Sequence, residues 1–382
     1  MLDFLEADRA FVAKANAQIF DLEAQISALR ITISELSAAK EPAEQRLNAY
    51  KYPVLTLPNE IIAEIFLQYL PPYPNTPFGL IGLHSPIYLT HICGQWREIA
   101  LTTPTLWRAV TLTRSMARGR LSIKGAIWFA GMCWNRSAPY PLSIHAYDYN
   151  VDNWFPIFAT ALPHRARWQH LELNADFRNA NADTMMLLRN ALKEPMPLLR
   201  TLTFYLHPPF PKPLTLRSED VPLLHSVTLD DQGIQGFILP WAQLTSLTLT
   251  PIHSGRCVPV LLQATRLVSL TLDLIFPYLD DVPENPSVME LTLPRLERLL
   301  FFQSSDADMD FLELLATPAL RCLTLPESML EWPSSEFTYI ETLEAFMSKC
   351  RSPLEELRIL NPTIPEHAYR DAFPLIPSIL YS

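Results

Sequence analysis

Glycine is scarce, with 9 in 382 residues. So few leave little material for phosphate-cradling loops, and neither G-x-x-x-x-G-K nor G-x-S-x-G occurs. Charged residues make up only 18% and the net charge is −10, so the basic excess of a general nucleic-acid binder is missing. The five cysteines, at 93, 133, 257, 322 and 350, are odd in number and form no C-x-x-C pair. Neither a zinc knuckle nor a redox pair is indicated; buried free thiols in a reducing compartment are expected. Long apolar runs are absent too. The longest, Gly125 to Trp134, is about half a bilayer span. Met1-Leu2-Asp3-Phe4-Leu5-Glu6 mixes acids with apolar residues at once, unlike a secretory leader. The expectation is a soluble protein of the cytoplasm or nucleus that engages no membrane and no nucleic acid.

Chemistry-bearing patterns are equally thin. The nine histidines are scattered and H-E-x-x-H does not occur. Asp306, Asp308 and Asp310 alternate as in a calcium loop, but the Gly and Glu such a loop needs do not follow, and a turn capping a helix near Asp310 is expected. Cys93 has only His91 as a sequence-local base and reads as core packing. Gly233 and Gly236 read as a turn between strands. No catalytic residue, no metal ligand and no cofactor is assigned.

Apolar residues, by contrast, reach 49%, and prolines number 35, a sign of repeated chain punctuation in a packed protein. In residues 1–50, Ile19, Leu22, Ile26, Leu29, Ile33 and Leu36 recur at alternating three- and four-residue steps. Leu5, Val12, Leu47 and Tyr50 extend this heptad seam, while Asp8, Ala15 and Lys40 weaken its ends. Ile at one core position and Leu at the other lean toward a parallel two-stranded coil. Two partners suit the seam: a second copy, pairing through residues 1–40, or the body of the same chain. Pro42 is expected to end or kink the helix.

Residues 51–112 form a small helical unit. Pro58 suits a first helical turn, and Ile61, Ile62, Ile65, Phe66 and Tyr69 follow on one face. Pro71 to Pro77 stops that helix; Ile87, Leu89, Ile92, Cys93, Trp96, Ile99 and Ala100 make a second apolar series; Thr103-Pro104-Thr105-Leu106-Trp107 stops again. A bundle of about 55 residues is too small to hide so many apolar side chains, which points to a partner. The blocks Leu57-Pro58-x-Glu60-Ile61-Ile62-x-Glu64-Ile65-Phe66, Ile92-Cys93-x-x-Trp96-Arg97-x-Ile99-Ala100 and Pro104-x-Leu106-Trp107 resemble an F-box. The Pro-rich insert 71–86 and the run Arg136-Ser137-Ala138-Pro139-Tyr140-Pro141-Leu142 resemble the expanded F-box families of mushroom-forming fungi. That resemblance implies docking on the Skp-type adaptor of a cullin-based SCF ubiquitin ligase. Adaptor contact is then expected at Leu55, Leu57, Pro58, Ile61, Ile62, Ile65, Cys93, Trp96 and Trp107.

Residues 113–382 repeat one phrase: apolar, two others, apolar, one other, apolar. It runs from Trp168-x-x-Leu171-x-Leu173 to Leu354-x-x-Leu357-x-Ile359, with Pro141-Leu142-x-Ile144 as an atypical leading copy. Its middle residues are Leu171, Leu202, Val227, Leu247, Leu270, Leu299, Leu323 and Leu357, at separations of 31, 25, 20, 23, 29, 24 and 34. This is the signature of a leucine-rich-repeat solenoid, with short inward-facing strands alternating with outer helices. The family's usual Asn or Cys is replaced by Asp176, His207, Gln232, Ile252, Ile275, Ser304, Ser328 and Pro362, so an irregular pitch is expected. The fold class is therefore α/β: an N-terminal coiled-coil-like helix, a three-helix F-box, then an irregular leucine-rich-repeat solenoid in a right-handed α/β arc with its parallel sheet on the concave side. Ser246, Thr248, Ser269, Thr271, Cys322 and Thr324 have the parity opposite to the leucines and should face outward.

Between the two parts, seven basic residues at 97–136 face one acid, Glu98; they read as a docking surface for an acidic partner or the solvated face of a helix over 116–134. The functional expectation is a non-catalytic substrate-recognition subunit for protein degradation, its repeats binding a target protein. The alternative is a scaffolding repeat protein whose helical unit only caps the solenoid. A hydrolase using Cys93 or a scattered Ser/His/Asp set ranks third.

Overall fold

A computed structural model describes residues 2–49, 53–74, 83–113, 122–148, 151–176, 182–207, 210, 212–274, 290–304, 310–330, 339–351 and 353–382. The chain divides into two compact units, Met1–Ile62 and Ala63–Ser382. The first holds α1 (Leu2–Ala49), a 3-10 turn at Pro53–Thr56 and the start of α2 (Asn59–Tyr69). Contrary to the expected stop, α1 runs unbroken through Pro42. A proline there removes one backbone hydrogen bond, but the position is exposed, so water can meet the freed carbonyl. Lys40 and Glu44 pair across it at 2.8 Å. The α1 seam is uncovered, with Ile19, Leu22, Ile26, Leu29, Ile33 and Leu36 between 49% and 65% exposed.

The second unit continues with α3 (Pro86–Thr90) and α4 (Gly94–Thr102), then β1 (Ala109–Thr113), α5 (Ile123–Arg136), β2 (Leu142–Asp148), α6 (Val151–Phe158), β3 (Trp168–Asp176), α7 (Ala182–Leu192) and β4 (Thr201–His207). Next come β5 (Leu214–Thr215), β6 (Ser226–Leu229), α8 (Asp231–Gly236), β7 (Phe237–Ile238), β8 (Ser246–Ile252), α9 (Ser254–Leu261) and β9 (Ser269–Leu274). The remainder is β10 (Leu291–Thr292), β11 (Arg298–Ser304), α10 (Asp310–Leu314), β12 (Leu315–Ala316), β13 (Cys322–Pro326), α11 (Tyr339–Cys350), β14 (Glu356–Leu360), α12 (Glu366–Ala372) and β15 (Ser378–Tyr381).

Eleven strands form one parallel sheet in the order β1-β2-β3-β4-β6-β8-β9-β11-β13-β14-β15, which is chain order throughout. The repeated phrase sets the register. Leu171, Leu202, Val227, Leu247, Leu270, Leu299, Leu323 and Leu357 stand opposite one another across consecutive strands. All eight are buried. Val110, Ile144 and Ile379 prolong the same row at its two ends. Alternation then puts Ser246, Thr248, Ser269, Thr271, Cys322 and Thr324 on the other face, where each is half-buried. One residue upstream of the strands a second ladder repeats: Val268 N–H donates to Thr245 O at 2.8 Å, Glu297 N–H to Val268 O at 2.9 Å and Arg321 N–H to Glu297 O at 2.8 Å. Short helices pack against the leucine face, α6 on β1 and β2, and α8 on β4, β6 and β8.

Several details depart from the sequence reading. The sequence reading places residues 109–112 in the helical unit, but Ala109–Thr113 pairs with β2 and opens the sheet. The phrase Ile376-x-x-Ile379-x-Tyr381 supplies a further strand, β15. The glycine pair lies in a helix, α8, capped by Asp230, whose Oδ1 accepts from Gly233 N–H at 2.6 Å. A helix was expected over 116–134; α5 occupies 123–136, and 114–121 lie outside the described residues. The end of α5 is clamped by Arg167, which donates to Trp134 O at 3.0 Å, Tyr140 O at 2.9 Å and the buried Ser137 Oγ at 2.7 Å.

Near the C-terminus a carboxylate is buried. Glu327 accepts from the backbone N–H and hydroxyl of Thr363, from Ile364 N–H at 3.2 Å and from Tyr369 OH at 2.8 Å. Burial pushes its pKa up, but these hydrogen bonds outweigh burial and hold it below the ordinary glutamate value.

Two outcomes follow for stability. Leu270→Ala, at a fully buried position of β9, should cost about 2–5 kcal/mol by urea unfolding, and Thr271→Ala on the open face under about 1 kcal/mol. A depressed carboxylate pKa stabilises the folded state above the unfolded value, and that stability is lost as pH falls through the folded value. Glu327→Gln should therefore be less stable than wild type at pH 7 and lose less on acidification below about pH 5, read as parallel urea midpoints.

Candidate functional site

Two surfaces offer themselves. The first comprises the apolar residues of the F-box-like segment, taken unit by unit. In Met1–Ile62, Leu57 and Pro58 are exposed, Leu55 is half-buried, Ile61 is 50% exposed and Ile62 is buried. Leu57 and Ile61 thus present apolar surface to solvent, whereas Ile62 serves as core. In Ala63–Ser382, Ile65 is 41% exposed, with Tyr69, Tyr88 and Ile92 similarly open. Trp96 is half-buried edge-on against Phe66, ring centroids 4.9 Å apart. Trp107 is fully buried and donates its indole N–H to Ala100 O at 2.8 Å, so it locks the end of α4 to the turn that follows. Cys93 does not pack in the core: it is the N-cap of α4, half-buried, its Sγ accepting from Trp96 N–H at 3.5 Å.

The second surface is the open face of the sheet. Opposite the leucines, Ser143, His170, Thr201, Ser226, Ser246 and Ser269 stand side by side in register. Next to them run His145, Glu172, Thr203, Thr228, Thr248 and Thr271. At the N-terminal end of these rows an open pocket of about 280 Å³ is lined by His145, His170, Glu172, Thr201, Thr203 and Ser226, with Pro74 at its rim. His145 Nδ1 lies 2.8 Å from Glu172 Oε2, and Tyr147 OH donates to Glu172. His170 Nδ1 lies 2.8 Å from Thr201 Oγ1.

The wall of this pocket comes from the segment after α2. Tyr73 OH donates to Gln169 Oε1 at 2.8 Å, and its ring meets His170 edge-on at 5.5 Å. The Arg108 guanidinium sits 3.9 Å above the Tyr73 ring, a cation–π contact. Burial pushes the Tyr73 phenol up to about 12, against the pull of Arg108 and Arg200. Burial also drives His170 down to about 4, helped electrostatically by its neighbours His145, Arg200, His225 and Arg108. Burial raises Glu172, but hydrogen bonds from His145 and Tyr147 outweigh it and leave the carboxylate below its ordinary value. The result is a fixed polar floor: one carboxylate held ionised, one imidazole held neutral, and hydroxyls on both sides. Such a floor hydrogen-bonds an extended chain or a polar side chain. Among the described residues no group of three or more His, Cys, Asp or Glu is placed to hold a metal ion.

Spacing along the chain hid this cluster, because His145 and Glu172 lie 27 positions apart. A signal was present nonetheless. His145 follows Ile144 as Glu172 follows Leu171, and His170 precedes Leu171 as Thr201 precedes Leu202. Aligning the phrases therefore aligns the side chains.

The shift of His170 is open to measurement. Its neutral form favours the folded state, a contribution complete above the ordinary histidine pKa and lost as pH falls toward about 4. An NMR titration of the folded protein should find the His170 ring unprotonated at about pH 5.5, where a free imidazole is mostly charged. Thr201→Val should leave the sheet folded while shifting the His170 ring resonances. Compared with known proteins, the chain matches no family model and no curated protein.

Proposed function

We propose that this chain is a non-catalytic substrate-recognition subunit, whose residues 55–112 dock as an F-box on the Skp-type adaptor of an SCF ubiquitin ligase. In this reading the parallel sheet is a leucine-rich-repeat array, and its open face, with the pocket at His145, His170 and Glu172, receives a target protein. The observation that carries the reading is the fate of the three motif blocks. The first falls largely in α2, the second in α4 and its N-cap, and the third in the turn at Pro104–Trp107, while Leu57, Ile61 and Ile65 are left exposed. Exposed apolar side chains of this kind are what a docking helix offers a groove. No helix among the described residues is long and apolar enough to cross a membrane.

One observation favours a second reading, in which the helices merely cap the sheet. Arg136 of α5 donates to Leu101 O at 3.1 Å and lies 5.7 Å from the Trp107 ring, tying α4 and the following turn to the layer beside the sheet. A cap needs those contacts; a docking module needs the exposed residues as well.

A pull-down with purified Skp-type adaptor separates the two. Leu57→Ala/Pro58→Ala and Ile65→Asp, all at exposed positions, should leave the circular dichroism unchanged and weaken adaptor binding at least about ten-fold, or about 1.4 kcal/mol. Folded wild type that fails to bind the adaptor would hand first place to the scaffold.

A further inference from the structure

The exposed seam of α1 is an apolar feature that adaptor docking leaves unexplained. Its six central Ile and Leu residues, Ile19 to Leu36, lie open along a helix of 48 residues. Their order, Ile at one core position and Leu at the other, is that of a two-stranded coil. The flanking charges identify the second strand. On one side of the seam, at seven-residue steps, stand Arg9, Asn16, Glu23, Arg30, Ser37 and Glu44, all exposed.

We propose that α1 pairs with α1 of a second copy of this chain, in antiparallel orientation, Ile26 of each helix packing against Leu29 of the other. In that register Glu23 faces Arg30 of the second copy, and Arg9 faces Glu44. The two-fold axis repeats each pair, so four opposite-charge contacts flank the core and no like charges meet. The weak core positions are accommodated as well. Lys40 lies opposite Ala15 of the second copy, whose small side chain leaves room for the lysine stem to reach water, and Asp8 lies opposite Leu47.

A parallel pair fares worse, although the Ile and Leu pattern alone leans that way. The flanking residues would then pair as Gln18 with Glu23 and Gln25 with Arg30, with no opposite charges, and Asp8 and Lys40 would each meet their own copy inside the seam. The continuity of α1 through Pro42 matters here, because it keeps Glu44 on the same helix as Arg9. This self-association is independent of adaptor docking and stands or falls separately from it.

The test is sedimentation of the full chain at low salt, between about 1 and 100 μM. Wild type should sediment as a dimer, and Ile26→Asp/Leu29→Asp as a folded monomer with the far-ultraviolet signal of the sheet retained. Glu23→Arg and Arg30→Glu should each weaken dimerisation at least about ten-fold, and the double variant Glu23→Arg/Arg30→Glu should restore it to near the wild-type level, because the pair is re-formed with signs exchanged. Wild type that stays monomeric at about 100 μM would overturn the proposal. So would a dimer indifferent to both single reversals, which would make the pairing parallel, or an assembly larger than two chains.

Discussion

Register is the constraint from which the rest follows. Parallel strands with a side-chain period of two can share a core only if every strand presents the same parity to its neighbours. Here one row of leucines and their equivalents, Val110 to Ile379, runs across eleven strands without slipping a face. Each buried leucine contributes roughly 2 kcal/mol, too little to hold one repeat together, yet each is counted against two neighbours. Connection length is free to vary once parity is kept. That explains why separations from 20 to 34 residues coexist with one regular sheet.

The same constraint writes the outer face. Whatever precedes or follows the middle leucine must point away from the core, so Ser and Thr accumulate in rows along β6, β8 and β9. Small hydroxylated residues suit a half-buried strand face and need no charged partner. Charge enters where the rows end. His145, Glu172 and His170 cluster at β2 and β3, with Tyr73 packed edge-on against His170 and Arg108 over the Tyr73 ring. The site is therefore a local enrichment of a pattern the whole sheet carries, with its polarity set by part-buried hydrogen bonds between its own side chains.

Much of this was legible in the order of residues. The apolar phrase located eight strands and their parity, because hydrophobic period and strand geometry are the same fact seen twice. The heptad seam located a long helix. What escaped has physical reasons. β1 hides because its copy of the phrase, Trp107-x-x-Val110-x-Leu112, overlaps the block Pro104-x-Leu106-Trp107 and reads as the end of the helical unit. Pro42 looked like a boundary because propensity counts the lost hydrogen bond and not the solvent beside it. Cys93 looked apolar, whereas its thiol serves a backbone N–H at a helix start. The pocket escaped because adjacency in a parallel sheet is created by pairing, and pairing joins residues some 30 positions apart.

Chain order also decides how such a molecule can be made. Every strand of the main sheet finds its partner in the strand just before it or just after it, and none waits for a distant segment to close the structure. A ribosome delivers the strands in the sequence in which they pair, so each new leucine meets a surface already prepared. Assembly can then advance as a front along the emerging chain, with the newest strand as its growing edge.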